Sequence, residues 1–187
     1  VGTEATIKPS TVFTAPEGME FFGWTTTPGG KVIEYAEGAS ISITGTDSTD
    51  VENLYAQWAV PVTITFDSND SAYYGNASGT MSTLKVGKGL QFTLSANGYT
   101  LAGHNFSGWK VDSSVEGVTI TKSGDNYTIE IDSAYSGTSL TLYAQWERDT
   151  HTLSLYKIDS DGKKPLSGAI FGLYCYESGE FRLVETL

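Results

Sequence analysis

Short runs in which apolar and polar residues alternate recur along the chain, and each predicts a strand. The strictest, Val62-Thr63-Ile64-Thr65-Phe66, reads as a half-buried strand. Val118-Thr119-Ile120 and Tyr127-Thr128-Ile129-Glu130-Ile131 flank Ser123-Gly124-Asp125-Asn126 and predict a hairpin. Further strands are expected at 21–24, 31–35, 40–44, 54–58, 140–146, 153–159 and 181–185. Between them lie turn signals: Thr25 to Gly30 with Pro-Gly-Gly, Asn97-Gly98 as a tight turn of two residues that tolerate positive φ, and Ser160 to Pro165. Residues 1–20 read as loop, broken by Pro9 and Pro16, and 47–50 and 67–80 read as polar loops. Ala59-Val60-Pro61 and Glu147-Arg148-Asp149-Thr150 read as linkers.

The pattern also repeats. Leu54-Tyr55-Ala56-Gln57-Trp58 returns letter for letter as Leu142-Tyr143-Ala144-Gln145-Trp146. Each copy follows a G-x-x-F-x-G-W stretch, Gly18 to Trp24 and Gly103 to Trp109, so these two motifs hold all four Trp. A tandem repeat of small units follows. We expect modules at 1–60 and 61–148, the first without an opening strand, and a different third piece at 149–187. In L-Y-A-Q-W, period two puts Leu, Ala and Trp on one face. Phe21, Trp24, Trp58, Phe106, Trp109 and Trp146 are therefore expected in the cores, with a glycine before each first Trp leaving room for a ring. Tyr73 and Tyr74, in a polar loop, are the candidates for an exposed contact.

Composition narrows the partners. Gly is abundant and long helical Leu/Ala/Glu/Lys stretches are missing, which points to a mainly β protein. The net charge of −11 argues against nucleic acid and anionic membranes, and no apolar run has the length of a bilayer span. A lone Cys175 excludes an internal disulfide framework. His104 and His151 are isolated, no phosphate loop follows a strand, and Asp159-x-Asp161-Gly162 lacks the later ligands of a calcium loop. No enzyme, cofactor or metal site is expected. Asn76, Asn105 and Asn126 stand in sequon-like triplets. The opening Val1-Gly2-Thr3 carries no leader, and a strand pattern still runs at Leu187, so a piece of a longer protein is expected.

Val62 to Asp67, Gly103 to Trp109 and Leu142 to Trp146 together resemble the Listeria–Bacteroides repeat, the internalin B-type repeat, and the first copy matches its later two-thirds. The resemblance implies small β-grasp-like modules strung along bacterial surface proteins as spacers or interaction modules. In the third piece, Lys157-x-Asp159, Asp161-Gly162-Lys163, Pro165-Leu166-x-Gly168-Ala169 and Phe171-x-Leu173-Tyr174 resemble the start of a SpaA/Cna-B-type prealbumin-like domain of Gram-positive surface proteins. That resemblance implies an Ig-like β-sandwich in which Lys157 is the amine of an isopeptide bond to an Asn beyond Leu187, with Glu185 as the acidic helper. The amine must lose its proton to attack, so burial and a nearby acid are needed; the plainer alternative is a surface Lys on an edge strand. The implied function is a non-enzymatic stalk, spacer or adhesin segment, extracellular and wall-associated, touching an unidentified host protein or glycan and its own neighbouring modules. The alternative is a glycan-binding accessory module of a larger surface enzyme.

Overall fold

The computed structural model describes residues 3–7, 10–43, 53–73, 75–150, 158–162, 164, 167–168, 170–177 and 180–186. Among them the regular structure is almost entirely β, as composition and alternation predict. The chain divides into two compact units, Val1–Glu147 and Arg148–Leu187.

Strands β1 (Thr3–Thr6), β2 (Glu20–Thr25), β3 (Ser40–Ile43) and β4 (Tyr55–Ala59) belong to the first copy of the repeat, with a 3₁₀ turn at Ser10–Val12. The second copy holds β5 (Pro61–Asp67), a 3₁₀ turn at Asp70–Tyr73, β6 (Ser78–Gly79), β7 (Leu84–Gly87), β8 (Gln91–Thr93) and β9 (Tyr99–Thr100). It continues through β10 (His104–Lys110), β11 (Val118–Ser123), β12 (Asn126–Ile131) and β13 (Ser139–Arg148). In the second unit β14 (Gly172–Glu177) and β15 (Glu180–Thr186) form an antiparallel pair.

Two main sheets build the second copy, beside the short pair β6-β9. One has the order β10-β13-β5-β7, with β13 parallel to β5; the other has the order β11-β12-β8. The alternating residues of β5, β12 and β13 meet between them. Val62, Ile64, Ile129, Ile131, Leu142 and Ala144 are essentially inaccessible, and Trp109 and Trp146 are buried beside them. Complete burial of such an aliphatic side chain contributes about 1.5–3 kcal/mol, which is why the period-two pattern decides the register. Ser123 faces Asn126 across the expected hairpin, with Gly124 at φ 59° in its two-residue turn.

The first copy repeats part of this frame. Ile41 and Ile43 precede Leu54 by the same spacing as Ile129 and Ile131 precede Leu142. Ala5 pairs with Ile41 as Phe92 pairs with Ile129. The Ile7 amide donates to the Ala39 carbonyl at 2.9 Å, as the Leu94 amide donates to Tyr127 at 2.8 Å. Strand β1 is thus the counterpart of β8, and the expectation of loop through residues 1–20 is corrected. Thr3–Thr6 carries one small apolar residue, too little alternation to announce a strand whose partner lies far along the chain. The motif glycines also coincide: Gly18 and Gly103 have φ of 70° and 69°, and Gly23 and Gly108 have φ of 142° and 157°. Only glycine takes these angles at little cost.

Three further expectations change. Residues 31–35 form no strand; Val32 bridges to Gln91 and Tyr35 to Trp24 as single bridges. Neither Asn97 nor Gly98 takes positive φ. The Asn97 carboxamide oxygen accepts the Tyr99 amide at 3.0 Å, and β9 pairs with β6, so no hairpin forms there. The expected linker at 59–61 is a passage between strands: β4 ends at Ala59, β5 starts at Pro61, and the Val60 carbonyl accepts the Lys88 amide at 3.0 Å. Proline is tolerated at the first residue of a strand.

Residues of the two copies touch beside that passage. The Phe22 and Phe92 rings stand edge to face at 5.4 Å. Lys31 pairs with Glu130, Lys85 Nζ meets Glu20 Oε2 at 2.9 Å, and the Gln91 amide donates to the Lys31 carbonyl at 2.8 Å. A Cβ on Gly87 would fall 2.6 Å from the Ala59 Cβ and 2.9 Å from the Phe22 ring, so the contact depends on glycine there.

Candidate functional site

Both motifs assemble the same aromatic cluster. In the second copy Phe106 lies edge to face with Trp109 at 5.0 Å and with Trp146 at 5.8 Å. In the first, Phe21 meets Trp24 at 5.2 Å and Trp58 at 5.3 Å. Phe13 closes on Trp24 at 5.6 Å, as Tyr99 closes on Trp109 at 6.4 Å. The indole N–H groups of Trp24 and Trp109 are both buried without an acceptor.

What covers the cluster differs. In the second copy, residues 66–73 and 75–77 run over it. Phe66 packs on Trp109 at 5.0 Å, the Ser68 carbonyl accepts the Trp146 Nε1–H at 2.7 Å, and the Phe66 carbonyl accepts the Tyr99 hydroxyl at 2.8 Å. Asn69, at φ 52°, donates its side-chain Nδ2–H to the Ala144 carbonyl at 2.9 Å. Asp70 clasps this cover: its carboxylate accepts the Ala77 amide at 3.1 Å and the Ser68 hydroxyl at 3.0 Å. Those bonds, the Ala77 amide first, hold the Asp70 carboxyl below its usual range.

Among the described residues, the corresponding surface of the first copy is an open groove of about 420 Å³, lined by Phe13, Ala15, Met19, Glu20, Phe21 and Trp58 among others. Phe13 is 50% exposed and Met19 39%. Glu37 also lines it, giving the groove an apolar floor and an acidic rim. On another side of this copy, the Thr25 hydroxyl and then the Thr26 amide and hydroxyl hold the Glu34 carboxylate below its usual range and fasten the 25–34 turn.

The sequence-derived residues fall as follows. Trp24, Trp109 and Trp146 are buried; Phe21, Trp58 and Phe106 are half-buried in their clusters. Tyr73 is half-buried against the second core rather than free in its loop, its ring 5.9 Å from that of His104. Tyr74 and Lys157 lie outside the described residues. Glu185 sits in β15 opposite Leu173, with its side chain outside them. Asp159 to Gly162 forms a turn in which the Gly162 amide donates to the Asp159 carbonyl at 2.9 Å. Phe13 and Met19 were not singled out by sequence. The signal for Phe13 is its place in Phe-Thr ahead of the first motif, where the second copy has Tyr99-Thr100.

No protein family, curated protein or solved structure matches the chain.

Proposed function

We propose that the chain is a non-enzymatic segment of a bacterial cell-surface protein, acting as a stalk, spacer or adhesin. In this reading it comprises two β-grasp-like modules of the Listeria–Bacteroides type and the start of a prealbumin-like, SpaA/Cna-B-type domain, in an extracellular, wall-associated setting. The observation that carries the reading is the junction of the two copies. A single residue separates β4 from β5, and aromatic, ionic and backbone contacts bind the copies beside it. A flexible pair of binding heads does not need such a joint, whereas a spacer that holds its neighbours at a set distance does.

Backbone amide relaxation on the intact chain tests this: both copies should report one tumbling time. Separate times for 20–43 and 118–147 would remove the support for a spacer. Surface labelling of intact cells of the producing bacterium tests the setting, and a protein found only inside the cell sinks it. The cross-link at Lys157 remains a proposal from the resemblance; a chain extended past Leu187 should lose one ammonia, and Lys157→Ala should keep it.

A second reading, a glycan-binding accessory module, draws on the aromatic groove of Phe13, Phe21 and Trp58. A glycan array with the intact chain and with Trp58→Ala tests it; no sugar retained by the unchanged chain eliminates it.

A further inference from the structure

The chain enters the second copy at Pro61, the first residue of β5, and leaves it at Arg148, the last residue of β13. These two strands are hydrogen-bonded neighbours and run parallel. The start of one and the end of the other therefore lie at opposite ends of the pair. Tension carried along the chain pulls β5 and β13 lengthwise past each other, across their hydrogen bonds. The paired positions from Thr63↔Ser139 to Asp67↔Tyr143 then share the load instead of meeting it one after another.

Side chains strengthen this pair along its length. At one end the Thr63 amide donates to the Thr138 carbonyl at 3.0 Å. In the middle the Thr65 hydroxyl donates to the Leu140 carbonyl at 3.3 Å and stands 2.9 Å from the Thr141 hydroxyl. Past the last paired residue, Asn69 Nδ2–H donates to the Ala144 carbonyl at 2.9 Å and Trp146 Nε1–H to the Ser68 carbonyl at 2.7 Å. Neither strand is an edge, because β10 and β7 flank the pair. Val62, Ile64, Leu140, Leu142 and Ala144 are buried, which keeps water from one face of the ladder and strengthens its hydrogen bonds.

The hairpin of β11 and β12 has the opposite geometry in the same copy. It holds six paired residues, Val118↔Ile131 to Ser123↔Asn126, against five between β5 and β13. Its open end lies at Gly117 and Asp132, where the Asp132 amide donates to the Gly117 carbonyl at 2.7 Å. Among the described residues β11 is the outer strand of its sheet. Force applied at that open end parts one pair at a time.

We propose that the parallel pair of β5 and β13 is a load-bearing clamp that resists extension of the chain, with the Thr65 and Asn69 side chains as added rungs. The direction of the load, and not the number of paired residues, sets its resistance. The proposal rests on the stalk or spacer reading for the source of the tension, whereas the clamp itself belongs to the fold of the second copy.

The test is single-molecule stretching of the intact chain through pairs of introduced cysteines, with Cys175→Ser in every variant. Handles at Val60→Cys and Glu147→Cys load β5 and β13 lengthwise. Handles at Glu116→Cys and Ser133→Cys, two exposed positions, open the hairpin from its end. At one loading rate the first pair of handles should need about twice the force of the second or more, since forced unfolding follows the barrier met along the pull. Thr65→Val with Asn69→Gly removes the added rungs, keeping a β-branched residue at 65 and a residue that takes positive φ at 69. It should lower the first force and leave the second unchanged. Equal forces at the two pairs of handles overturn the proposal. So does a double variant that lowers both forces alike, or that leaves the first force as it was. A clamp that fails in a chain whose copies share one tumbling time leaves the spacer reading standing.

Discussion

In the second copy of the repeat Leu142, Ala144 and Trp146 are 0%, 0% and 5% exposed, whereas the identical Leu54, Ala56 and Trp58 of the first copy are half-buried. On the opposite face the order reverses at Gln57 and Ala59, though not at the exposed Tyr55. Gln57 is 9% exposed and Ala59 buried, because the ribbon of β2 and β4 turns that face toward Gly87 of the second copy. The same five letters therefore play different parts. Alternation says which residues share a face, and neighbours decide which face is sealed.

The largest expected effect tests that asymmetry directly. Leu142→Ala should destabilise the chain by about 3–4 kcal/mol, since it empties a fully enclosed site, and Leu54→Ala by about 1 kcal/mol. Urea unfolding of both variants checks this, and equal losses would break the comparison.

The glycine before Trp inverts the ranking. A Cβ at Gly23 would stand 2.4 Å from Ile33 Cγ2 and 2.6 Å from the Tyr35 carbonyl oxygen, but at Gly108 its nearest neighbour is the Tyr127 hydroxyl at 3.3 Å. Both positions carry the penalty of positive φ. Gly23→Ala should thus cost about 3 kcal/mol and Gly108→Ala about 1–2 kcal/mol. Thermal unfolding should rank them so, and the reverse order would mean that Ile33 yields easily.

Within one copy, the indoles separate a paired N–H from an unpaired one. Trp146 donates to the Ser68 carbonyl at 2.7 Å, and Trp109 donates to nothing. Trp146→Phe strands that carbonyl, whereas Trp109→Phe removes a donor that was unsatisfied already. The first should cost about 1 kcal/mol more than the second in a denaturant titration. Similar losses would place their origin in ring volume alone.

Much of this was legible. The runs at 62–66, 127–131 and 140–146 alternate because both sheets bury one face, and the G-x-x-F-x-G-W glycines mark backbone angles that recur to within 15°. Partners distant in sequence were not legible. Thr3–Thr6 becomes a strand because Ser40–Ile43 lies alongside, and Asn97-Gly98 is no hairpin because Tyr99–Thr100 pairs back to Ser78–Gly79. The groove was hidden for another reason. Phe13 and Met19 line it at positions whose second-copy counterparts, Tyr99 and His104, meet residues distant in sequence. Tyr73 is the converse, a tyrosine in a polar run that folds onto His104 and becomes part of the cover.

The smallest effect concerns how that cover is held. Asp70 binds both ends of its own loop, at Ser68 and Ala77, and these bonds keep its carboxyl below the usual range. A depressed folded value means that the clasp stabilises the cover above the ordinary carboxylate titration. It is lost as the pH falls through the lowered value. Protection of the Ala77 amide against hydrogen exchange, corrected for its intrinsic rate, should fall across that acid window. The Leu94 amide, held by the Tyr127 carbonyl inside the sheet, should keep its protection until the whole copy unfolds. Asp70→Asn should lower Ala77 protection at neutral pH and flatten its pH dependence. Were the Ala77 and Leu94 amides to lose protection together, the cover would be one cooperative piece with the core.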